Sequence, residues 1–432
     1  MKTNQLQKNI STEWQRIRLG DYLLHDPDYG INAASVEFSN TLPAYLRITD
    51  ISEDGKFLTI KKTSVDHRDS KKYVLDDGDV VFARTGASVG KSYLYDKNDG
   101  KLVFAGFLIR MKPNTQKLNS AFLSAYTHTS KYEQWVKETS PRSGQPGINS
   151  VEYSDLILSV PPLPEQNRIV SVLETWGKAI AKISQKIEAK KQIKKGLMHD
   201  LLTGKKRLSG FKDQWENIKV GEIFSFLRTY ALSRENLIND TSNNHGIGNI
   251  HYGDIHSTYR SSSIDLRNIS VPQIKDVDFK FDKEDLLING DLIMADVSED
   301  YEGIGITVSI HELANKKILG GLHTFVLRDK SKKTTENYRQ YIFQNKEIRN
   351  RLRKIANGVS VYGISKNSLS KMLLDLPPVL EQIKIANILT AADKEITELE
   401  RKLHFIKEQK KYLLNNLITG AIRTPETVST KV

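Results

Sequence analysis

Residues 161–204 read PPLPEQNRIVSVLETWGKAIAKISQKIEAKKQIKKGLMHDLLTG, and residues 377–420 read PPVLEQIKIANILTAADKEITELERKLHFIKEQKKYLLNNLITG. The two align without a gap at an offset of 216, with sixteen identities in forty-four positions. Pro161, Pro162, Glu165 and Gln166 recur as Pro377, Pro378, Glu381 and Gln382; Thr203 and Gly204 recur as Thr419 and Gly420. An internal repeat of this fidelity fixes architecture before any other feature. Each copy carries the marks of one long helix. The double proline breaks what precedes it and lets a helix begin just after. Gly204 and Gly420 stand at the far end, where a left-handed cap favours glycine. Between them apolar residues recur by threes and fours: Trp176, Ile180, Ile183, Ile187, Leu197 and Leu201 in the first copy. The second copy gives Ala392, Ile396, Leu399, Leu403, Ile406, Leu413 and Leu417. Such spacing is a coiled-coil seam. One seam position is basic in both copies, Lys194 and Lys410, and a polar seam residue fixes register at a cost in stability. A helix from Glu165 to Thr203 is about 58 Å long. Equal lengths, caps and seams predict two helices that pack on each other, rather than two unrelated core helices.

Outside the helices the repeat continues more loosely. Trp14-Gln-Arg-Ile-Arg-Leu-Gly20 opens one segment and Trp215-Glu-Asn-Ile-Lys-Val-Gly221 the next. Asp77-Gly-Asp-Val-Val-Phe-Ala83 matches Asn289-Gly-Asp-Leu-Ile-Met-Ala295, each an Asp-Gly or Asn-Gly turn feeding an apolar β run. A glycine-containing loop follows in each segment, Arg142-Ser-Gly-Gln-Pro-Gly-Ile-Asn149 and Asn357-Gly-Val-Ser-Val-Tyr-Gly-Ile-Ser365. Strands are expected at 45–51, 80–83, 92–95 and 107–111, with one helix over 120–138 and its counterpart over 336–355. The expected fold is α+β: two similar α+β domains alternating with two long helices that pair as an antiparallel coiled coil. The boundaries are 1–160 for the first domain, 161–210 for the central helix, 211–376 for the second domain and 377–424 for the C-terminal helix. Residues 425–432 are expected to be a flexible tail.

The 432 residues suggest two or more domains, and a net charge of +12 suits an anionic partner. The absence of cysteine excludes disulfides and cysteine-based zinc sites and fits the cytosol. The N-terminus MKTNQLQKNISTEW lacks an apolar signal core, and no apolar run approaches the roughly eighteen residues of a membrane span. A cytoplasmic protein without membrane association is expected.

The repeats resemble the specificity subunits of type I restriction–modification systems. The residues that carry the resemblance are the two Pro-Pro-x-x-Glu-Gln helix starts and the two Leu-[Leu/Ile]-Thr-Gly ends. Arg84-Thr-Gly-Ala-Ser-Val-Gly-Lys91 and Ala295-Asp-Val-Ser-Glu-Asp-Tyr-Glu-Gly-Ile-Gly305 complete the set, and the likeness covers nearly the whole chain. It implies a non-catalytic subunit whose two target-recognition domains each read one half of a split site in double-stranded DNA. The helices hold the domains apart and seat adenine methyltransferase (modification) subunits, and a motor–nuclease (restriction) subunit joins for cleavage. The resemblance implies no cofactor on this chain; S-adenosylmethionine, ATP and Mg belong to the partners.

The residues agree with that implication. Base methylation needs a cofactor loop and a clamp for the flipped base, and both are missing. The prolines follow Val160 and Leu376 instead of asparagine, and Gly303-Ile-Gly-Ile-Thr-Val308 ends in valine where a dinucleotide loop has glycine. Gly86-Ala-Ser-Val-Gly-Lys-Ser92 imitates a phosphate-binding loop but is one residue short between its glycines. His311-Glu-Leu-Ala-Asn315 lacks the second zinc ligand, and Asp276, Asp278 and Asp282 lack the glycine of a calcium loop. Base reading needs directional donors and acceptors. In the first segment Arg84, Thr85, Ser88, Lys91, Arg142, Ser143, Gln145 and Asn149 supply them. In the second, Asp296, Ser298, Tyr301, Asn357, Ser360, Tyr362 and Lys366 do so. The alternative for the Arg84 turn is a surface β-turn with incidental charges. Lys190, Lys191, Lys194 and Lys195 form either a solvated helix face or an attraction for phosphate or acidic partner surfaces. Two rival functions are a coiled-coil scaffold, which predicts near-identical domains, and a nucleotide-binding protein using the Arg84–Ser92 loop.

Overall fold

The computed structural model describes residues 14–239, 246–259, 262–267 and 269–425. Residues 1–13 and 426–432, the latter most of the expected tail, lie outside the described residues. Each non-helical segment is closed at its base by an antiparallel ribbon. Gln15–Arg18 pairs with Ile157–Val160, and Glu216–Lys219 pairs with Leu373–Leu376. In both opening strands only the isoleucine faces inward, Ile17 in one and Ile218 in the other. The closing strand of each ribbon runs straight into the double proline.

The chain divides into two compact units, residues 1–184 with 401–432, and residues 185–400. The long helices are Leu163–Leu202 and Val379–Thr419, of 40 and 41 residues. Each therefore gives one half to each unit. In the first unit Ile169 and Leu173 share a core with Leu413, Leu417 and Ile418. In the second, Leu197, Leu201 and Leu202 share one with Ile385, Ala386 and Leu389. In both units the start of one helix meets the end of the other, so the helices run antiparallel. Gly204 and Gly420 take φ of +69° and +79° just past the helix ends, as left-handed caps require. No helix among the described residues is long and apolar enough to cross a membrane.

The first unit holds two four-stranded sheets. One runs Asp28–Tyr29, Leu108–Met111, Val80–Ala83, Ser92–Leu94; the other runs Val36–Glu37, Thr63–Ser64, Ala44–Leu46, Leu102–Phe104. In the second unit a five-stranded sheet runs Phe224–Leu227, Thr324–Asp329, Leu292–Ala295, Thr307–His311, Ser263–Asp265, beside a four-stranded one. The strand after each Gly-Asp turn is buried on both faces. Its alternation of side chains feeds two cores. Val80 and Phe82 enter the core shared with the helices, while Val81 and Ala83 enter the core against the second sheet. Leu292 and Met294, against Ile293 and Ala295, divide in the same way. The turns themselves match. Gly78 and Gly290 both take φ of +84°. The buried carboxylates of Asp79 and Asp291 accept from the amides of Asp76 and Ile288, each at 2.9 Å.

Three expectations change in detail. The helix expected over 120–138 is two, Ser120–Tyr126 and Ser130–Thr139, and that over 336–355 is Glu336–Ile342 and Lys346–Ile355. The break falls at Thr129 and Asn345, whose side chains accept from the amides of Tyr132 and Glu347 at 3.3 and 2.8 Å. A side-chain cap of this kind starts a new helix rather than continuing the old. The strand expected over 45–51 stops at Leu46, because Asp50 turns back to accept from the amide and Nε of Arg47 at 2.9 and 2.8 Å. Finally, three of the four helix lysines pair with carboxylates of the opposite helix, while Lys191 and Lys195 are also exposed. Lys190 and Lys191 reach Glu395 and Glu400 at 2.8 Å, and Lys194 pairs with Asp393.

Candidate nucleic-acid interface

The Glu-Gln of each helix start is architectural. Gln166 Oε1 accepts from the amide of Asn119 at 2.8 Å, while its Nε2 donates to the carbonyls of Lys117 and Pro161 at 3.0 and 2.8 Å. Gln382 repeats this with Thr335 at 2.9 Å, Lys333 at 2.8 Å and Pro377 at 2.9 Å. Each glutamine thus ties the helix start to the segment that leads into a helix of its own unit. The adjacent Glu165 and Glu381 receive both arms of Arg423 and Arg207, which lie three residues beyond the capping glycines. Those arginines lie over Trp14 and Trp215, at 5.4 and 5.6 Å from the ring centres. The repeated motif therefore locks each helix start to the end of its antiparallel neighbour.

With the scaffold so fixed, the candidate loops come together in pairs. In the first unit, Thr85 bridges Gly147 in an antiparallel contact, the amide of Gly86 donates to Pro146 at 2.9 Å, and the amide of Ile148 donates to Arg84 at 2.9 Å. The turn of Arg84, Thr85, Ser88 and Lys91 is thereby joined to the loop of Arg142, Ser143, Gln145 and Asn149. In the second unit, Val297–Ser298 pairs with Tyr362–Gly363, and the amide of Ile364 donates to Asp296 at 2.8 Å. Tyr301 packs on Tyr362, with ring centres 5.3 Å apart. Asn357 and Gly363 exchange amide–carbonyl bonds at 2.9 and 2.8 Å and close a hairpin whose exposed tip carries Ser360. Lys366 lies over Phe226, 5.3 Å from the ring centre.

The two frames match at the backbone bonds that join turn to loop. The amide of Arg84 donates to Phe107 at 3.0 Å, and the amide of Asp296 donates to His323 at 3.2 Å. Arg84 corresponds to Asp296, Phe107 to His323 and Ile148 to Ile364. Ile148 and Ile364 keep both backbone bond and side chain, whereas Arg84/Asp296 and Phe107/His323 keep the bond and change the side chain.

Individual candidates differ in what their side chains have left to offer. Arg142 is engaged: Nη2 donates to both oxygens of Glu152 at 2.6 Å, and Nη1 to the carbonyls of Thr139 and Pro141 at 2.8 Å. Asn149 caps the helix Ser150–Ser154, its Oδ1 accepting from Glu152 at 2.9 Å. Lys91 pairs with the exposed Glu53 at 2.6 Å. Ser298 is buried, and its Oγ accepts from Asp300 at 3.3 Å. Ser143 and Gln145 are exposed, and Gln145 lies against Gly86. Arg84 stacks on Tyr29, 4.7 Å from the ring centre. Asp296 Oδ1 is buried without a hydrogen bond, 3.5 Å from His323 Nδ1, and burial raises its carboxyl above the usual range. Tyr29, Phe107 and His323 escaped sequence reasoning. Only the 216-residue offset between Phe107 and His323 could have shown that pair. The loop that imitates a phosphate site spends its amides internally: those of Val89, Gly90 and Lys91 donate to Gly86, Ala83 and Ser88. Strand Ser92–Leu94 follows, so no helix N-terminus faces a phosphate there.

Two α+β units with matched loop frames, each built on halves of two antiparallel helices, define a duplicated recognition module. The chain belongs to the family of the type I restriction modification DNA specificity domain, which it matches twice, over residues 13–192 and 212–407. Its role is DNA target recognition as a type I specificity subunit; the catalytic subunits of such systems are separate chains. It is 22% identical over 432 residues to the type I restriction enzyme MjaVIII specificity subunit of Methanocaldococcus jannaschii, covering 96% of this chain and 94% of that one. It is 22% identical over 382 residues to the EcoKI specificity subunit of Escherichia coli, covering 86% and 80%. Its fold resembles the HsdS subunit from Thermoanaerobacter tengcongensis, with TM-score 0.50, 18% identity and coverage of 95% and 97%. It also resembles a type I S subunit from M. genitalium, with TM-score 0.52, 13% identity and coverage of 94% and 96%.

Proposed function

We propose that each unit reads one half of a bipartite site in double-stranded DNA through its paired loops, and that the long helices set the distance between the halves. The observation that carries this is the pair of frames with one backbone pattern and unlike side chains. A protein reading two different sequences with one architecture needs that combination. A scaffold has no use for it. Adenine methyltransferase subunits dock on this chain in the cytoplasm, bring S-adenosylmethionine and flip one adenine in each half. A motor–nuclease subunit using ATP and Mg completes the restriction complex. Phosphate contacts by lysines such as Lys91 and Lys366 position the duplex, and the remaining loop residues meet base edges.

The test is to assemble the chain with methyltransferase subunits and map methylated adenines on genomic DNA. The expected result is one motif of two unlike halves separated by an unspecified spacer, with a methylated adenine in each half. Methylation at a single uninterrupted motif, or at none, would contradict it.

A further inference from the structure

At the matched position of the two frames the charge is reversed. Arg84 and Asp296 have their amides and carbonyls in the same bonds, so their side chains leave the same point of the frame. Resting on the DNA-reading role above, we infer that Arg84 reads a guanine in one half-site and Asp296 reads the N4 amine of a cytosine in the other.

Arg84 has the free donors that this requires. Among the described residues it forms no ion pair, in contrast to Arg142. The ring of Tyr29 supports its guanidinium from one face. Tyr29 is itself held, its hydroxyl accepting from the amide of Ser150 at 3.1 Å and lying 3.2 Å from Ser150 Oγ. A planar fork supported on its face keeps its edge for O6 and N7 of guanine, two adjacent acceptors. Adenine offers a donor in place of O6 and is refused.

Asp296 presents the opposite need. Its side chain is only 22% exposed, and the enclosed Oδ1 makes no hydrogen bond, with His323 Nδ1 3.5 Å away, so an incoming base donor would meet the other carboxylate oxygen. A carboxylate in that state gains from an incoming N–H and loses against an acceptor. Cytosine N4 is such a donor. Thymine O4 and guanine O6 are acceptors, and adenine sets its N7 acceptor beside its amine. His323, 3.5 Å away, favours the ionised form whenever it is protonated.

The experiment uses the complex with its methyltransferase subunits and compares wild type, Arg84→Gln and Asp296→Asn by motif mapping. Each variant should relax one position, in different halves, and that position should be a G·C pair. Duplexes carrying 7-deazaguanine at the first position, or 2-pyrimidinone for cytosine at the second, should bind the wild type about five- to 150-fold more weakly. The matching variant should not distinguish the analogue from the natural base. The analogue measurements on the wild type need no variant to fold. Relaxation at an A·T pair, relaxation of both variants in one half, or equal wild-type affinity for the analogues would overturn the inference while leaving bipartite reading intact. A wild-type complex without a bipartite motif would overturn both.

Discussion

Glu165 and Arg423 meet across 258 positions of sequence, the guanidinium Nε and Nη2 donating to the two carboxylate oxygens at 2.6 and 2.5 Å. Glu381 and Arg207 repeat the contact at 2.8 and 2.7 Å. Both glutamates are buried, so removal of the arginine strands a charge away from water. Arg423→Ala should cost about 3–5 kcal/mol and lower the urea midpoint. Glu165→Gln in the same chain should restore part of the loss, because the stranded group is then neutral. An unchanged midpoint in Arg423→Ala would show that the pair is not a clasp.

Among the described residues, the seam position shared by Lys194 and Lys410 forms an ion pair in one unit only. Lys194 has Asp393; the residue equivalent to Asp393 for Lys410 is Gly177. A Cβ on Gly177 would lie 3.5 Å from Lys410 Nζ. Burial and the nearby Lys56 lower the lysine's pKa from its ordinary 10.5, with Asp54 opposing them. The unfolded chain therefore binds the proton more tightly than the folded one. Stability contributed at this site should rise as pH climbs from the lowered folded value toward 10.5. Gly177→Asp should raise the thermal midpoint more than Gly177→Ala, whose gain from helix propensity is about 1 kcal/mol, and should flatten the pH dependence. Equal effects of the two substitutions would remove the proposed pair.

The loop arginines should separate by assay. Arg142 is bound to Glu152 and two carbonyls at the surface, so Arg142→Ala should loosen its loop and lower stability by up to about 1 kcal/mol. Arg84→Ala should leave the unfolding midpoint unchanged and weaken DNA binding. Lys91→Ala should reduce the slope of log affinity against log salt by about 0.9 if its ammonium neutralises one phosphate. An Arg142 variant with full stability and reduced binding would reverse the assignment.

The helices, their caps and the two-unit plan were legible because each rests on local chemistry: double proline, seam spacing and terminal glycine. The roles of Glu165 and Gln166 were not. Their partners Arg423 and Asn119 are remote in sequence, and nothing in Pro-Pro-x-x-Glu-Gln announces them. Yet Arg207 and Arg423 share the same 216-residue offset, and extending the alignment three residues beyond the glycines would have exposed the pair. The loop candidates were found from residue type, which cannot tell a free side chain from an engaged one. Arg84 and Arg142 look alike in sequence; the difference is that Glu152 lies within reach of one of them. The pairing of Lys190, Lys191 and Lys194 was hidden for the same reason, since their carboxylate partners sit on the other helix.

The first long helix should act as a ruler for the spacer between half-sites. Four residues inserted after Lys186 add one turn and about 6 Å, against about 3.4 Å per base pair. The spacer of the methylated motif should lengthen by about one to two base pairs, with both half-site sequences retained. Methylation at an unaltered spacer would contradict the ruler.

The most direct measurement replaces residues 211–376 with the matching segment of a relative of different specificity and maps methylated adenines in cells that also carry the partner subunits. The joints lie outside both ribbons, so the first unit's frame around Arg84 is untouched. One half of the motif should change to the donor's and the other should remain as it was. A change in both halves, or in neither, would contradict independent reading by two units.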